Sequence, residues 1–388
     1  MTAESEASSA AASSGVAPAV AAPSVVALGG GHGLYATLSA VRQFSRYVTA
    51  VVTVADDGGS SGRLRAELGV IPPGDLRMAL AALAADDPAL TSWTQTVQHR
   101  FGGVGALAGH SVGNLILAGL TEVLGDPVAA LDEVAALLRI NGRVVPMSPI
   151  ALDIEADVQG LEADPRVSRC IRGQVAVATT PGKVRRVRLL PANPPACPDA
   201  LAAIDNADMV VLGPGSWFSS VIPHVLVPEL LATLTATTAR KVLVLNLAPE
   251  PGETAGFSAE RHLHVLSQHA PQLGVDYVLV DSTTVPQGRE REHLARAAAS
   301  LGAQVIYADV AQRKNAASDD GACEHRVHTH DASKLAVALH ALWTAQPQQP
   351  TPDINAATPE SDAASPGAAR INDHVHTHAQ ERENASWR

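Results

Sequence analysis

Short apolar runs alternate along this chain with longer segments whose apolar positions recur at helical spacing. The runs at 25–28 and 49–54 each open into a glycine-rich loop followed by a helical pattern, and the runs at 209–212 and 242–245 also end in loops rich in small and polar residues. Continuous apolar runs of this length are typical of strands buried in a parallel sheet. The pattern therefore predicts an α/β fold, a Rossmann-like three-layer sandwich with a mostly parallel, doubly wound sheet.

Between 143 and 190 the pattern changes to shorter runs. Apolar and polar residues alternate at 151–158, and further short runs follow at 174–177 and 184–190. Alternation with period two is typical of antiparallel strands that have one solvated face. We therefore predict that 143–190 is a small antiparallel β insertion on the main sheet. Residues 86–108 show no clear period and are expected to be irregular.

The two ends of the chain differ in composition from its centre. Residues 1–23 are rich in Ala, Ser and Pro, with no Lys or Arg before Arg42, so the basic start of a signal peptide is missing. Residues 346–388 are similarly rich in small and polar residues. Both segments are predicted to be disordered. The residues between them are enough for one large α/β domain or two small ones.

Net charge and cysteine content reduce the number of functions that the chain could have. The formal net charge of −11 disfavours nucleic-acid binding, which needs a basic face. The three cysteines are far apart, without metal-ligand spacing and without an even count for a disulfide framework. No apolar run is long enough to span a bilayer. These features predict a cytoplasmic protein with no transmembrane segment.

The first glycine-rich loop is the strongest candidate for ligand binding. It comprises Gly29, Gly30, Gly31, His32, Gly33 and Leu34. Glycines allow positive φ and let backbone N–H groups approach an anion, and the following helix, expected from Leu34 to about Phe44, adds its N-terminal dipole. A phosphate or pyrophosphate is the expected ligand. A tight strand-to-helix turn with no ligand is the alternative.

The second loop contains two adjacent carboxylates. It comprises Asp56, Asp57, Gly58, Gly59, Ser60, Ser61, Gly62 and Arg63. A dinucleotide fold places its ribose-binding carboxylate at about this distance from the first glycines, but a pair of aspartates in a Gly/Ser loop fits that role poorly. Beside a bound phosphate, Asp56 and Asp57 are suitable ligands for Mg²⁺.

Two further segments combine polar residues with a helix start. Asp75 stands where the N-cap of the helix through Ala85 is expected, so Asp75 and Arg77 either belong to the site or only cap and solvate that helix. His110 and Asn114 flank Ser111, the expected N-cap of the helix at 115–124. At four residues' spacing they either bind a phosphate or a sugar, or cap a core helix.

Six motifs carry a resemblance to a known family. They are GGGHGL, VTVADDGGSSGRLRAELG, PPGDLRMALAALA, GHSVGNLILAGL, LGPGSWFSS and PGETAGF. In this order and spacing they resemble the YvcK family of bacterial UDP-sugar-binding proteins, formerly described as gluconeogenesis factors and related in fold to CofD, the 2-phospho-L-lactate transferase. The resemblance covers roughly 24–345. It implies binding of UDP-N-acetylglucosamine, regulation of cell shape, peptidoglycan synthesis and carbon-source-dependent growth, an unknown partner protein of the cell-envelope machinery, and oligomerisation.

The resemblance also implies which residues line the nucleotide-sugar site. Besides the first two loops, His110 and Asn114, they are Gly213, Pro214, Gly215, Ser216, Asn246 and Tyr277. Tyr277 resembles an aromatic position that stacks on uracil, and the alternative is an ordinary core residue. Two positions depart from the family pattern: His32 replaces a threonine, and the sequence after Asn246 differs.

Catalysis is the second functional hypothesis. In a CofD-like transferase, Asp56 and Asp57 would position Mg²⁺ on a nucleotide-linked phosphate substrate. No convincing nucleophile or general base stands out elsewhere, which favours a regulatory binding protein without a required cofactor. An interaction scaffold that ignores nucleotides is a third hypothesis.

Overall fold

The computed structural model describes residues 22–164, 166–250, 252–312 and 329–345. The predictions for 1–21 and 346–388 fall outside this part of the chain. The strands described are β1 Ser24–Gly29, β2 Tyr47–Val52, β3 Arg143–Pro146, β4 Asp153–Gln159, β5 Ser168–Arg172, β6 Lys183–Leu190, β7 Met209–Leu212, β8 Arg240–Val244, β9 Tyr277–Asp281 and β10 Gln304–Ala308.

Helices connect most of the strands. They are α1 Gly31–Val41, α2 Gly59–Leu68, α3 Gly74–Leu83, α4 Thr91–Gln98, α5 Val112–Leu124, α6 Pro127–Leu137, α7 Gln174–Thr179, α8 Pro198–Asp205, α9 Ile222–Leu226, α10 Pro228–Ala236, α11 Ala259–His269, α12 Arg289–Ala299 and α13 Ala332–Thr344. A short 3₁₀ turn, Pro88–Leu90, precedes α4, and a π-helical turn, Trp217–Val221, precedes α9.

The main sheet confirms the predicted α/β class. Its seven strands lie in the order β10-β9-β8-β7-β1-β2-β3, and every pair is parallel. The chain winds outward from β1 through β2 to β3, and then from β7 to β10 on the other side. The order therefore reverses between β1 and β7. In open parallel sheets, ligands bind at the carboxyl ends of the strands beside such a reversal.

The insertion is smaller than predicted, because β3 pairs with β2 and belongs to the main sheet. The antiparallel part is a three-stranded sheet in the order β5-β4-β6. The predicted strand at 174–177 is wrong, since these residues form α7. Gly173 turns the chain with φ of 105° at the start of α7, a conformation that the alternation of side chains does not reveal.

Three helix predictions need correction. Helix α1 begins at Gly31, three residues earlier than expected, and the N-cap of α3 is Pro73, so Asp75 lies within the first turn. The region 86–108, expected to be irregular, contains α4, whose buried surface is limited to Val97. A helix with so few buried positions leaves little apolar periodicity in the sequence.

Aliphatic residues make up most of the core, as a chain with 3% aromatic residues requires. In the described part of the chain, no single helix is both long and apolar enough to cross a membrane. The bent pair Trp217–Leu226 and Pro228–Ala236 passes the length and composition test only when taken together, with 78° between its parts.

Candidate functional site

Four helices begin close together at the carboxyl edge of the sheet: α1, α2, α3 and α5. In none of the four does the side chain of the N-cap residue accept a hydrogen bond from the helix. Contacts link them, because Ser61 Oγ of α2 accepts from the backbone N–H of Gly74 in α3 at 3.0 Å, and Ser60 contacts the start of α5. Helix N-termini that lie at one edge of a sheet favour the binding of anions.

Two carboxylates lie on the α1 side of this edge. We call Gly30, Gly31, Asp56, Ser61 and Asp75 the acidic centre. A Cβ added to Gly30 would come within 2.4 Å of Asp75 Oδ2, and one added to Gly74 within 3.2 Å of Asp56 Oδ2. The backbone N–H of Gly31 donates to Asp75. Burial, with a contribution from the charge of Asp56, raises the pKa of Asp75 to about 7.

Asp57, predicted together with Asp56 to bind a metal, contacts a different element from its neighbour. Its Oδ1 accepts from the backbone N–H of Val175 at 2.9 Å, and a Cβ on Gly173 would come within 2.3 Å of its Oδ2. The carboxylate therefore holds the start of α7. Asp56 and Asp75 are the carboxylates whose charges interact at this edge, and the metal site at Asp56 and Asp57 stays a prediction. Mg²⁺ is commonly bound by one or two carboxylates together with substrate phosphates, and the described residues contain no group of three or more metal-ligating side chains.

Buried polar groups on the α5 side form a hydrogen-bonded chain. We call Ser60, Arg77, His110 and Asn114 the basic centre. Arg77 Nε donates to Asn114 Oδ1 at 2.8 Å, Asn114 Nδ2 donates to Ser60 Oγ at 3.0 Å, and Ser60 Oγ lies 2.9 Å from His110 Nδ1. The structure thus brings His110 and Asn114 together as predicted. Ser111 is the N-cap residue of α5, although its hydroxyl makes no cap bond.

Arg63, also predicted to bind the nucleotide sugar, supports a loop instead. Its guanidinium donates to the carbonyl oxygens of Ala108 at 2.9 Å and Ala106 at 2.7 Å. These contacts hold the exposed glycine-rich segment 102–109 beside the basic centre.

In the first loop, His32 and Leu34 point in different directions. His32 is exposed in the first turn of α1, whereas Leu34 is buried in the core and is not available to a ligand. Gly33 lies against the β7 loop, and a Cβ there would come within 2.1 Å of the Pro214 carbonyl oxygen. The close approach of α1 to this loop therefore requires glycine.

The β7 loop is fixed by its neighbours. Asn246, at the end of β8, accepts from the Gly215 N–H and donates to the Gly215 carbonyl, both at 2.9 Å. Its amide is thus engaged with Gly215 rather than free for a ligand. Glu253, to which the sequence analysis assigned no role, accepts from the backbone N–H groups of Phe218 at 2.6 Å and Ser219 at 2.9 Å, and from Ser216 Oγ.

Burial raises the pKa of Glu253 to about 8, and its hydrogen bond with Glu250 acts in the same direction. Glu253→Ala leaves two buried N–H groups without acceptors, so we expect the free energy of unfolding to fall by about 3 kcal/mol in urea titrations at pH 7. Glu253→Gln keeps an acceptor and removes little charge at this pH, and should change stability much less. Equal losses for both variants would contradict this role.

A cavity of about 200 Å³ opens at the ends of β8 and β9. Its walls are mainly apolar, and its lining includes Leu247, Pro249, Phe257, His262 and Val285. The cavity is smaller than the pockets that hold whole drug-sized ligands, so it suits one ring of a larger ligand. Neither periodicity nor glycine content signals this cavity in the sequence.

Tyr277 does not join the other predicted residues. It is the first residue of β9, and because the strands are parallel it lies at the edge opposite the glycine-rich loops. Its ring packs against the Arg240 guanidinium, 5.9 Å from the ring centroid. The predicted uracil-stacking role does not fit this position.

Comparison with known proteins agrees with this architecture. The model of the family described as 2-phospho-L-lactate transferase CofD matches residues 25–319. The chain belongs to the CofD family. Within this family it groups with the gluconeogenesis factors of the YvcK, or UPF0052, type. A Listeria innocua protein named gluconeogenesis factor is 35% identical over 327 residues, which cover 82% of this chain and 95% of the relative.

A second relative has a higher sequence identity. A Mycobacterium leprae protein, provisionally named gluconeogenesis factor, is 64% identical over 334 residues, covering 86% of this chain and 90% of its own length. A crystal structure of a UPF0052 protein from Bacillus halodurans matches with a TM-score of 0.69 and 34% identity, over 81% of this chain and 98% of that one. These matches confirm the resemblance and the fold predicted from the six motifs.

Proposed function

We propose that this protein binds a UDP-sugar, UDP-N-acetylglucosamine in the first instance, and acts as a regulatory binding protein. The observation that carries the proposal is the meeting of the N-termini of α1, α2 and α3 with Asp56 and Asp75 beside the reversal of the sheet order. Such an arrangement suits a diphosphate that carries Mg²⁺, because backbone N–H groups face its oxygens and the carboxylates face the cation.

The cavity at β8 and β9 is the proposed position of the uracil ring. It lies on the other side of β7 from the acidic centre, and Asn246 belongs both to its lining and to the contact with Gly215. Phe257 supplies an aromatic wall, and Thr284 and Ser258 supply hydroxyl groups. A nucleotide sugar that extends across the β7 loop would use both places.

Phe257→Ala should weaken UDP-N-acetylglucosamine binding about 5- to 150-fold in calorimetric titrations, because stacking on an aromatic ring contributes about 1–3 kcal/mol per base. Tyr277→Ala is the matched control, since it removes an aromatic ring at the opposite edge and should leave affinity unchanged. Loss of binding in Tyr277→Ala alone would contradict this placement and favour the role predicted from the family resemblance.

A Mg²⁺-dependent transferase of the CofD type is the second candidate. The family match and the carboxylate pair Asp56 and Asp75 favour it. The test is incubation of the purified protein with nucleotide-linked phosphate substrates and Mg²⁺, followed by chromatography. Turnover that is lost in Asp56→Asn would establish the transferase, whereas saturable binding of intact UDP-sugar without turnover would favour the regulator.

The cellular part of the proposal follows from the names of the relatives and the family resemblance. We propose that the protein is cytoplasmic and forms a homo-oligomer. It would bind a partner in cell-envelope regulation and so link carbon supply to peptidoglycan synthesis and cell shape. A strain that produces only a non-binding variant should show the shape and carbon-source defects of a deletion strain. Normal growth of that strain would instead favour a scaffold that does not need the ligand.

A further inference from the structure

We propose that the basic centre binds a second anionic ligand, a phosphate monoester, at the same time as the nucleotide sugar. This second site is distinct from the acidic centre, and it rests on the proposed function only in its claim of simultaneous occupancy. Its main feature is Arg77, a guanidinium on a residue only 6% exposed, which forms no ion pair with any described residue. The charge of Asp75 acts on Arg77 without forming an ion pair, so an anion in contact with the guanidinium is the expected complement.

The hydrogen-bonded chain fixes the direction of the Arg77 and Asn114 donors in this centre. Arg77 can only donate, so the Asn114 atom that faces it is the carbonyl oxygen and the Asn114 amide nitrogen faces Ser60. Ser60 Oγ accepts from that nitrogen, and the direction of its bond with His110 Nδ1 depends on the tautomer of His110. Burial, together with Arg63 and Arg100, lowers the pKa of His110, and a bound anion would favour the neutral tautomer that has Nδ1 accepting from Ser60 and the proton on Nε2.

The donors that remain open in the basic centre are those of Arg77. The terminal amino groups of Arg77 and the Nε2 atom of His110 have no hydrogen-bond partner among the described residues. Arg100 donates to the Gly109 carbonyl oxygen and forms no ion pair within the described part of the chain. A site that offers hydrogen-bond donors and positive charge favours a ligand with several acceptor oxygens and negative charge, such as a phosphate.

Two pairs of nearby residues contact different centres. Ser60 contacts His110 and Asn114, whereas Ser61 contacts Gly74 of the acidic centre. On α3, Asp75 faces Gly30 and Gly31, whereas Arg77 contacts Asn114 of α5. Residues two apart on a helix do not share a face, so one ligand group cannot be held by both residues in the same way. The two centres therefore suit two different ligands. The acidic centre suits a diphosphate that carries a cation, and the basic centre suits a phosphate without one.

The test uses inorganic phosphate as the probe, with the full-length protein, and measures binding by calorimetry and ³¹P NMR. We expect saturable phosphate binding whose affinity changes less than twofold when UDP-N-acetylglucosamine and Mg²⁺ are saturating. Asn114→Asp puts a carboxylate beside Arg77 in nearly the same shape, and should weaken phosphate binding at least about tenfold. Arg77→Gln should act in the same direction. Arg296→Gln, which removes an exposed charge on α12, is the control and should change nothing.

Three outcomes would overturn the proposal. They are absence of phosphate binding to the wild-type protein, unchanged phosphate binding in a folded Asn114→Asp variant, and competition between phosphate and the nucleotide sugar. Competition would mean that the basic centre holds the nucleotide's own phosphate. Because phosphate binding is also measured without nucleotide, failure of the UDP-sugar proposal would not hide the result at the basic centre.

Discussion

Gly33→Ala is expected to lower the free energy of unfolding by at least about 3 kcal/mol and to abolish nucleotide-sugar binding. The added methyl would come within 2.1 Å of the Pro214 carbonyl oxygen and 2.7 Å of Gly215 Cα. Both are backbone atoms, and Asn246 fixes Gly215 through two hydrogen bonds, so the loop cannot move aside cheaply. Helix α1 would have to separate from the β7 loop.

Urea titration and calorimetry together test this expectation. Gly119→Ala is the matched control, because Gly119 lies inside α5 and a Cβ there meets nothing within 4 Å. It should raise the free energy of unfolding by about 0.5–1 kcal/mol, since alanine is the better helix former. A Gly33→Ala variant as stable as the wild type would show that the contact between α1 and the β7 loop is not tight.

Asp75→Asn should make the protein more stable above pH 7 while removing the dependence of ligand binding on Mg²⁺. The pKa of Asp75 is about 7 in the folded protein against 3.8 for an ordinary aspartate, so the folded state holds this proton more tightly. Its contribution to stability is therefore greatest below pH 4, falls as pH rises from 4 to 7, and stays low above pH 7. The amide carries no charge and should be more stable than the wild type by up to a few kcal/mol at pH 8.

The measurement is urea unfolding at pH 5 and pH 8, with and without Mg²⁺ and nucleotide sugar. The advantage of Asp75→Asn should be larger at pH 8, and the remaining pH dependence should come from Glu253 and from buried histidines such as His224, whose pKa burial lowers to about 4. Asp57→Asn is the neighbouring control, because Asp57 binds the start of α7 and should leave the Mg²⁺ response intact. A Mg²⁺ response lost in Asp57→Asn and kept in Asp75→Asn would restore the pair predicted from the sequence.

The elements that the sequence predicted best were those determined by a continuous local pattern of apolar residues. Apolar runs identified β1, β2, β7 and β8, and the glycine-rich loops after them lie at one edge, as expected from a parallel sheet. Helix α7 was missed because its position depends on Asp57, more than a hundred residues earlier in the chain. Local alternation cannot report such a contact.

The candidate site was predicted in outline and misassigned in detail for a similar reason. The residue types indicated which loops form the candidate site. The direction in which each side chain points decides which of its atoms are free to bind a ligand. Adjacent residues such as Asp56 and Asp57, or Ser60 and Ser61, face different partners. Tyr277 was assigned by resemblance alone, and only the parallel register reveals that it starts its strand at the far edge. Nothing in the sequence indicated the role of Glu253 beyond the motif in which it lies. Its carboxylate binds backbone N–H groups, and such contacts leave no pattern of residue types in the sequence.

The position of Trp217 has a spectroscopic consequence. Its indole is fully buried beside His262, with ring centroids 5.0 Å apart, and His262 lines the cavity proposed for uracil. Burial lowers the pKa of His262, so this imidazole is neutral at pH 7 and becomes a cationic quencher only in acid. The chain has four tryptophans, and Trp93 is exposed. Trp217 therefore contributes, together with the half-buried Trp343, to the blue-shifted part of the intrinsic fluorescence, and ligand entry into the cavity is expected to change the contribution of Trp217.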